Sequence, residues 1–162
     1  MDVEKVTKKF YQEFQLEHQE FLEYVQGIDN ESDRRWYTSV ILNRLLFVYF
    51  LQRQGFINGG ETHYLLNELT KSLEKRGPNR FYSEFLETLF FEGLAKPERE
   101  RTLAAKEMLG QVCYLNGGLF LKHPIELNDR YSIQIPDEAF DRVFRLFDGY
   151  SWYIDDRDRT YS

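Results

Sequence analysis

Arg44 is the residue whose chemistry fits its surroundings least. It stands one position before residues 45–51, an unbroken run of seven apolar side chains. A buried guanidinium must be paired and hydrogen-bonded. The sequence therefore predicts an ion pair with a carboxylate, either Glu13, Glu17 or Glu20 of the preceding helical stretch or an acid near the Asn116 turn; the sharper alternative is a cleft-facing Arg that meets a phosphate or another domain. The second candidate is the stretch 114–120, Tyr-Leu-Asn-Gly-Gly-Leu-Phe. Here Asn116, Gly117 and Gly118 predict a turn of positive φ flanked by Tyr114 and Phe120, which either docks its aromatics on the core or brings bare backbone close to a ligand or partner. The third is a basic group, Lys71, Lys75, Arg76 and Arg80, around Gly77-Pro78. It could touch a nucleic-acid backbone, although such clusters are more often solvated. Cys113 has no base that spacing can identify and reads as a small apolar residue.

Other catalytic parts are missing from the sequence. A restriction-type nuclease site needs acidic metal ligands with a Lys, and no Asp/Glu-x-Lys occurs. Glu98-Arg99-Glu100 could imitate an acidic variant, but a run of alternating charge predicts a solvated face. None of the ten Gly precedes a Lys, so the phosphate cradle of nucleotide-binding loops is absent. His18, His63 and His123 lie on separate elements without zinc-type spacing. No catalytic, cofactor-binding or metal-ligating residue is assigned.

The elements that must position Arg44 follow from periodicity. Between Val40 and Leu51 only Asn43 and Arg44 are polar, so apolar residues cover nearly the whole circumference of a helix, which must then be central. Its apolar run is far short of the ~20 residues that span a bilayer. Val3, Val6, Phe10, Phe14, Phe21 and Val25 predict a long amphipathic helix before it. Asn30 or Ser32 is placed to cap the central helix, over about 33–54. Thr62 is placed to cap a third helix carrying Leu65, Leu66, Leu69 and Leu73, broken by Gly77-Pro78. Phe81, Tyr82, Phe85, Leu86, Leu89 and Phe90 predict a short aromatic fourth, ending near Gly93, and residues 98–108 a charged fifth. After Gly110 the pattern changes. Residues 112–115 and the alternation Tyr131, Ile133, Ile135 predict a small β element, and Pro136-Asp137 the start of a helix bearing Phe140, Val143, Phe144 and Phe147. Tyr150, Trp152 and Ile154 alternate in a final extended piece.

The expected fold is thus mainly α: a helical bundle around one buried central helix, with a small β element in the C-terminal third. Residues 1–154 form the domain and 155–162 a polar tail or linker. The 162-residue length suits one domain. Aromatics at 17% predict a core filled by large rigid side chains. A net charge of −6 argues against a whole-surface grip on nucleic acid. With one Cys, no signal-like N-terminus and no membrane anchor, the chain reads as cytoplasmic.

Residues 42–57, 81–94 and 113–126 (the last holding Cys-Tyr-Leu-Asn-Gly-Gly-Leu-Phe and His-Pro-Ile-Glu), followed by 135–152, together resemble a known family. They are similar to the helical region N-terminal to the methyltransferase domain of type IIG restriction-modification enzymes and of phage-exclusion adenine-specific DNA methyltransferases. The resemblance covers about residues 36–155. It implies a parent protein that methylates adenine N6 in double-stranded DNA with S-adenosylmethionine, and that uses Mg²⁺ if it also cleaves. It implies the methyltransferase domain of the same chain as partner. The family's Phe-x-Gly-x-Gly cofactor motif and Asn-Pro-Pro-aromatic catalytic motif are absent here. The expected function is therefore a non-catalytic connector or scaffold, in competition with a free-standing helical protein–protein interaction module. A third option is an enzyme using Arg44, Cys113 or the Gly117-Gly118 loop, which would require a deep pocket there.

Overall fold

A computed structural model describes residues 3–150, so that the extended piece expected through Trp152 and Ile154 and the 155–162 tail lie outside the described residues. Among the described residues there are five α-helices: α1 (Val3–Leu22), α2 (Glu31–Arg53), α3 (Tyr64–Arg76), α4 (Leu103–Leu109) and α5 (Asp137–Asp148). Between α3 and α4 the chain forms two wide-turned π-helical segments, Phe81–Leu86 and Thr88–Leu94. α1 packs on α2 and α5, α3 on α5 and the first π segment, and α4 on the second. None of the helices among the described residues is long and apolar enough to cross a membrane.

α2 is the centre of the bundle. Its start is fixed by Asn30, whose side-chain oxygen accepts from the Asp33 amide at 2.9 Å, satisfying one of the free donors of the first turn. Tyr37, Ile41, Leu45 and Val48 are fully buried along it. The burial is not complete around the circumference, because Trp36 and Phe47 lie on an outer face and remain exposed. Near its other end Gln52, also buried, opens α3: its amide oxygen accepts from Leu65 N at 2.9 Å and its nitrogen donates to Thr62 O at 2.8 Å. Thr62 itself does not cap α3, whose preceding residue is His63 and makes no side-chain cap bond.

The aromatic fourth element exists, but with π geometry. Its bonds include Glu87 N to Tyr82 O and Ala95 N to Phe90 O, both spanning five residues. Phe81, Phe85 and Leu89, four apart, are all fully buried, and the Phe81 and Phe85 rings stack at 5.1 Å. Asp137 caps this element instead of its own helix: its carboxylate accepts from Asn79 N at 2.8 Å, while Asn79 Oδ1 accepts from Asp137 N at 3.1 Å. α5 then lays Phe140 and Phe144 against Phe81.

The charged fifth helix is split. Glu98–Glu100 is a single 3₁₀ turn, exposed throughout, and α4 begins only after Thr102, which caps Ala105 N. Arg101 between them is extended and buried, donating to Gly93 O, Lys96 O and Val112 O. Those three bonds tie the end of the π region to the chain beyond α4 and prevent one continuous helix.

The expected β element is not formed among the described residues. Residues 131–135 keep the predicted in-and-out alternation, but their pairing is one antiparallel bridge, Gln26 with Gln134. The reason is the partner. Gly27 has φ +89° and turns the α1–α2 connection away after a single rung, and a Cβ built on it would lie 1.7 Å from Ser132 O. Residues 112–115 run beside the second π segment, with Leu115 N donating to Leu94 O at 2.8 Å, and form no strand. The Asn116 turn is also different from expectation. Gly117 is extended at φ −174° and Gly118 has no positive φ, so neither glycine is demanded by its backbone.

These positions give opposed expectations. Gly27→Ala should lower the unfolding free energy by about 3 kcal/mol or more, since it combines an unfavourable φ with a backbone collision. Gly117→Ala should change it by no more than about 0.5 kcal/mol. Urea denaturation of the two variants beside the parent chain checks both.

Candidate functional site: a strap clamped to the central helix

Arg44 lies on the buried side of α2 with Tyr37, Ile41 and Val48, facing the segment that follows Gly117. The side chain is 1% exposed. Its guanidinium makes a two-pronged pair with Glu126, Nη1 to Oε2 and Nη2 to Oε1, each 2.9 Å. Nε donates to Leu119 O at 2.8 Å and Nη2 also to Leu121 O at 2.9 Å. Its cationic plane sits 5.4 Å from the Phe90 ring centre and 5.3 Å from that of Phe91. Planar forked donors matched to a carboxylate make the strongest ion-pair geometry available to a protein.

Glu126 is equally committed. It is held by a turn in which Leu127 N donates to His123 O and the carboxylate reaches back to His123 N at 2.8 Å, as the acid of a capping box does. Oε2 accepts a further bond from Tyr37 OH at 3.0 Å, and the Tyr37 and Tyr82 hydroxyls are 2.6 Å apart. Each carboxylate oxygen therefore takes two donors. Burial is the main cause that pushes both tyrosine hydroxyls above their ordinary pKa. They remain protonated donors at neutral pH.

The consequence is mechanical. Residues 118–126 are strapped along α2: the Phe47 and Phe120 rings lie 6.1 Å apart at one end, Trp36 and His123 rings 6.0 Å apart at the other, with Arg44 bonding the carbonyls between. The acidic partner predicted for Arg44 is thus the acid beyond the Asn116 turn, and not Glu13, Glu17 or Glu20. Glu17 instead meets Arg142 of α5 at 3.4 Å.

Of two hollows among the described residues, the first is lined in part by the strap and the second is not. One of about 150 Å³ is lined by Tyr82, Glu87, Phe91, Lys122, Glu126, Tyr131 and Ile133. Burial raises the Glu87 pKa against the pull of Lys122. Glu126, with both oxygens doubly bonded, is not free to act there as acid or base. The other, broad and open at about 450 Å³, is lined by His18, Ser32, Arg35, Trp36 and Ser39. His18 Nε2 lies 2.8 Å from Ser39 Oγ, and its pKa is lowered by burial and by Arg35, so the ring is neutral at pH 7. Among the described residues no group of three or more His, Cys, Asp or Glu is placed to hold a metal ion.

The remaining candidates are dispersed. Tyr114, Asn116, Gly117 and Gly118 are exposed and lead into the strap without joining the Arg44 network. Cys113 is a half-buried free thiol packed against the core. In the basic group Lys71 meets Glu68 and Arg80 meets Glu84, both at 3.4 Å, and Lys75 is exposed. Arg76 is half-buried, with Nε and Nη2 shielded and without a hydrogen-bond partner. Tyr37, Tyr82 and the role of Glu126 escaped sequence reasoning. One signal was present: Glu126 is the first acid after Glu107, in a stretch otherwise apolar, polar-neutral or basic.

Two expectations follow from the clamp. Arg44→Met leaves the Glu126 carboxylate buried and unpaired and should cost about 3–5 kcal/mol, much of it recovered in the Arg44→Met/Glu126→Leu double variant. A urea-unfolding cycle at pH 7 that found the two changes additive would reject the clamp. Secondly, the folded chain holds the Tyr37 and Tyr82 protons more tightly than the unfolded chain, whose tyrosines ionise near pH 10. The stability these two hydroxyls contribute is therefore fully present below pH 10 and is lost as pH rises beyond it. Replacing both tyrosines by Phe should lessen that alkaline decline, leaving the part owed to other buried tyrosines such as Tyr49 and Tyr64, read from urea midpoints at stepped pH.

Comparison with known proteins places these residues in a wider setting. The chain is 26% identical over 128 residues to a Methanocaldococcus jannaschii protein whose name gives it as a type II restriction enzyme and methyltransferase. The match takes in 77% of this chain and 10% of that relative, so the chain spans about a tenth of its length. No solved structure matches. A family profile described as a domain of unknown function, DUF7814, matches residues 14–143, from the middle of α1 through the clamp to α5. The chain belongs to the DUF7814 domain family.

Proposed function

We propose that this domain is a non-catalytic helical connector in a restriction-modification DNA methyltransferase, one that orients the catalytic parts. The supporting observation is the Arg44–Glu126 clamp. The most chemically endowed side chains of the described structure are spent on each other and on two strap carbonyls, which favours a rigid spacer over a reaction centre. Similarity to a protein named as restriction enzyme and methyltransferase, of which this chain matches a tenth, supports the setting.

In this reading the parent transfers a methyl group from S-adenosylmethionine to adenine N6 in duplex DNA, in the cytoplasm, and any cleavage of unmethylated DNA draws on Mg²⁺ held elsewhere in the parent. The connector occupies residues 1–154. Its main partner is the methyltransferase domain. Direct contact with duplex backbone is a lesser part, assigned to Lys71, Lys75, Arg76 and Arg80. The carboxylates facing Lys71 and Arg80 do not bar it, because exposed pairs are worth only about 0–1 kcal/mol.

The purified chain, supplied with labelled S-adenosylmethionine, Mg²⁺ and plasmid DNA, should neither methylate nor cut. Turnover by this chain alone would overturn the connector role. The genomic locus separates the connector from a free-standing interaction module: the connector requires a Phe-x-Gly-x-Gly motif and an Asn-Pro-Pro-aromatic motif encoded with this chain. Their absence from the locus would favour the module.

A further inference from the structure

The clamp leaves an apolar ridge that the bundle does not cover. Phe120 of the strap is buried, whereas its neighbours Leu119 and Leu121 are 39% and 61% exposed, and Trp36 and Phe47 on α2 are 63% and 38% exposed. Ring contacts of His123 with Trp36 and of Phe120 with Phe47 set the strap beside these two side chains, which stand eleven positions apart on α2, about 16 Å of helix, with the exposed Asn43 between them. Resting on the connector reading above, we infer that this ridge is the surface that seats the methyltransferase domain, with Trp36 and Leu121 as its principal anchors.

Three physical points lead to that occupant. The ridge is organised before binding. The carbonyls of Leu119 and Leu121 are both held by a buried guanidinium, so little ordering entropy remains to be lost, which is the condition under which exposed aromatics and leucines give affinity. Its approach is open: a Cβ built on Gly117 or Gly118 meets nothing within 4 Å, so a partner backbone can come close where no internal requirement explains the glycines. Its chemistry is apolar along the strap, with Lys122 exposed beside it and Arg35, paired with Glu31 at 3.3 Å, next to Trp36, in a chain of net charge −6. That combination suits a folded protein surface with an acidic rim. It does not suit a phosphate backbone, which needs cations at the centre, nor a second copy, which would bring a further −6 to a chain already at −6. In the relative matched over a tenth of its length, nine-tenths of the chain lies outside the matched domain and is available to cover such a ridge.

The test uses the adenine-methyltransferase polypeptide encoded at the same locus, whether in the same reading frame or an adjacent one, expressed without residues 1–162 and titrated with this chain by calorimetry. Trp36→Asp and Leu121→Asp should each weaken binding about 30-fold or more. Leu103→Asp, an equal loss of exposed apolar surface on α4, should not. All three positions are exposed, so circular dichroism should match the parent chain. Wild-type binding that survives both ridge substitutions unchanged overturns the ridge assignment while leaving the connector role standing. Failure of the wild-type chain to bind overturns the connector role itself. Self-association of the chain that is lost in Trp36→Asp or Leu121→Asp would make a second copy the occupant and likewise overturn the assignment.

Discussion

A buried charge that must be neutralised governs the architecture. Arg44 sits on the most deeply buried helix of the bundle, and among the described residues no group of α1 or α3 bonds to it. The chain instead returns from 82 residues further on to supply a carboxylate and two carbonyls. Once Glu126 is there, its own oxygens require partners, which recruits Tyr37 from the same helix and the His123 amide from the same turn. Tyr37 in turn is joined to Tyr82, so the first π segment is tied to the pair as well. One unsatisfied guanidinium would be costly; the saturated network holds three separate regions of sequence in register.

A second arginine repeats the device on a smaller scale. Among the described residues Arg101 pairs with no carboxylate and donates to three carbonyls, from Gly93, Lys96 and Val112. Where Arg44 fastens the strap to α2, Arg101 fastens the end of the π region to the segment leading toward that strap. The irregular chain between α4 and α5 is therefore pinned near its start and again midway by side chains whose donors fit backbone oxygen. This explains how a stretch with little regular secondary structure can lie against a helical core without leaving polar backbone unsatisfied. It also explains why the outer ridge is both apolar and fixed in shape.

Much of the bundle was readable from spacing alone. The apolar circumference of residues 40–51 required a central helix, Asn30 offered the oxygen that its first turn needs, and Phe140, Val143, Phe144 and Phe147 described the inward face of α5. Arg44 announced its need for a partner by standing beside an apolar run. The widened turns of 81–94 were not readable, because a repeat of four satisfies α and π geometry alike until packing against α5 and the capping carboxylate of Asp137 select one. Residues 131–135 alternated as a strand does, yet whether they formed one depended on Gly27, over a hundred positions earlier, turning the partner chain away.

The sequence by itself thus determined the helical class, the identity of the central helix, the end points of most helices and the demand for a carboxylate at Arg44, since each of these follows from a period or a local cap within a few residues. Only the tertiary structure decided that Glu126 answers that demand in preference to Glu13, Glu17 or Glu20, and that the strap carrying the exposed Leu119 and Leu121 lies beside the exposed Trp36 and Phe47. Local geometry fixes which side chains point the same way along an element. Which distant elements meet is fixed by packing and loop closure over the whole chain, and no short-range pattern carries that information.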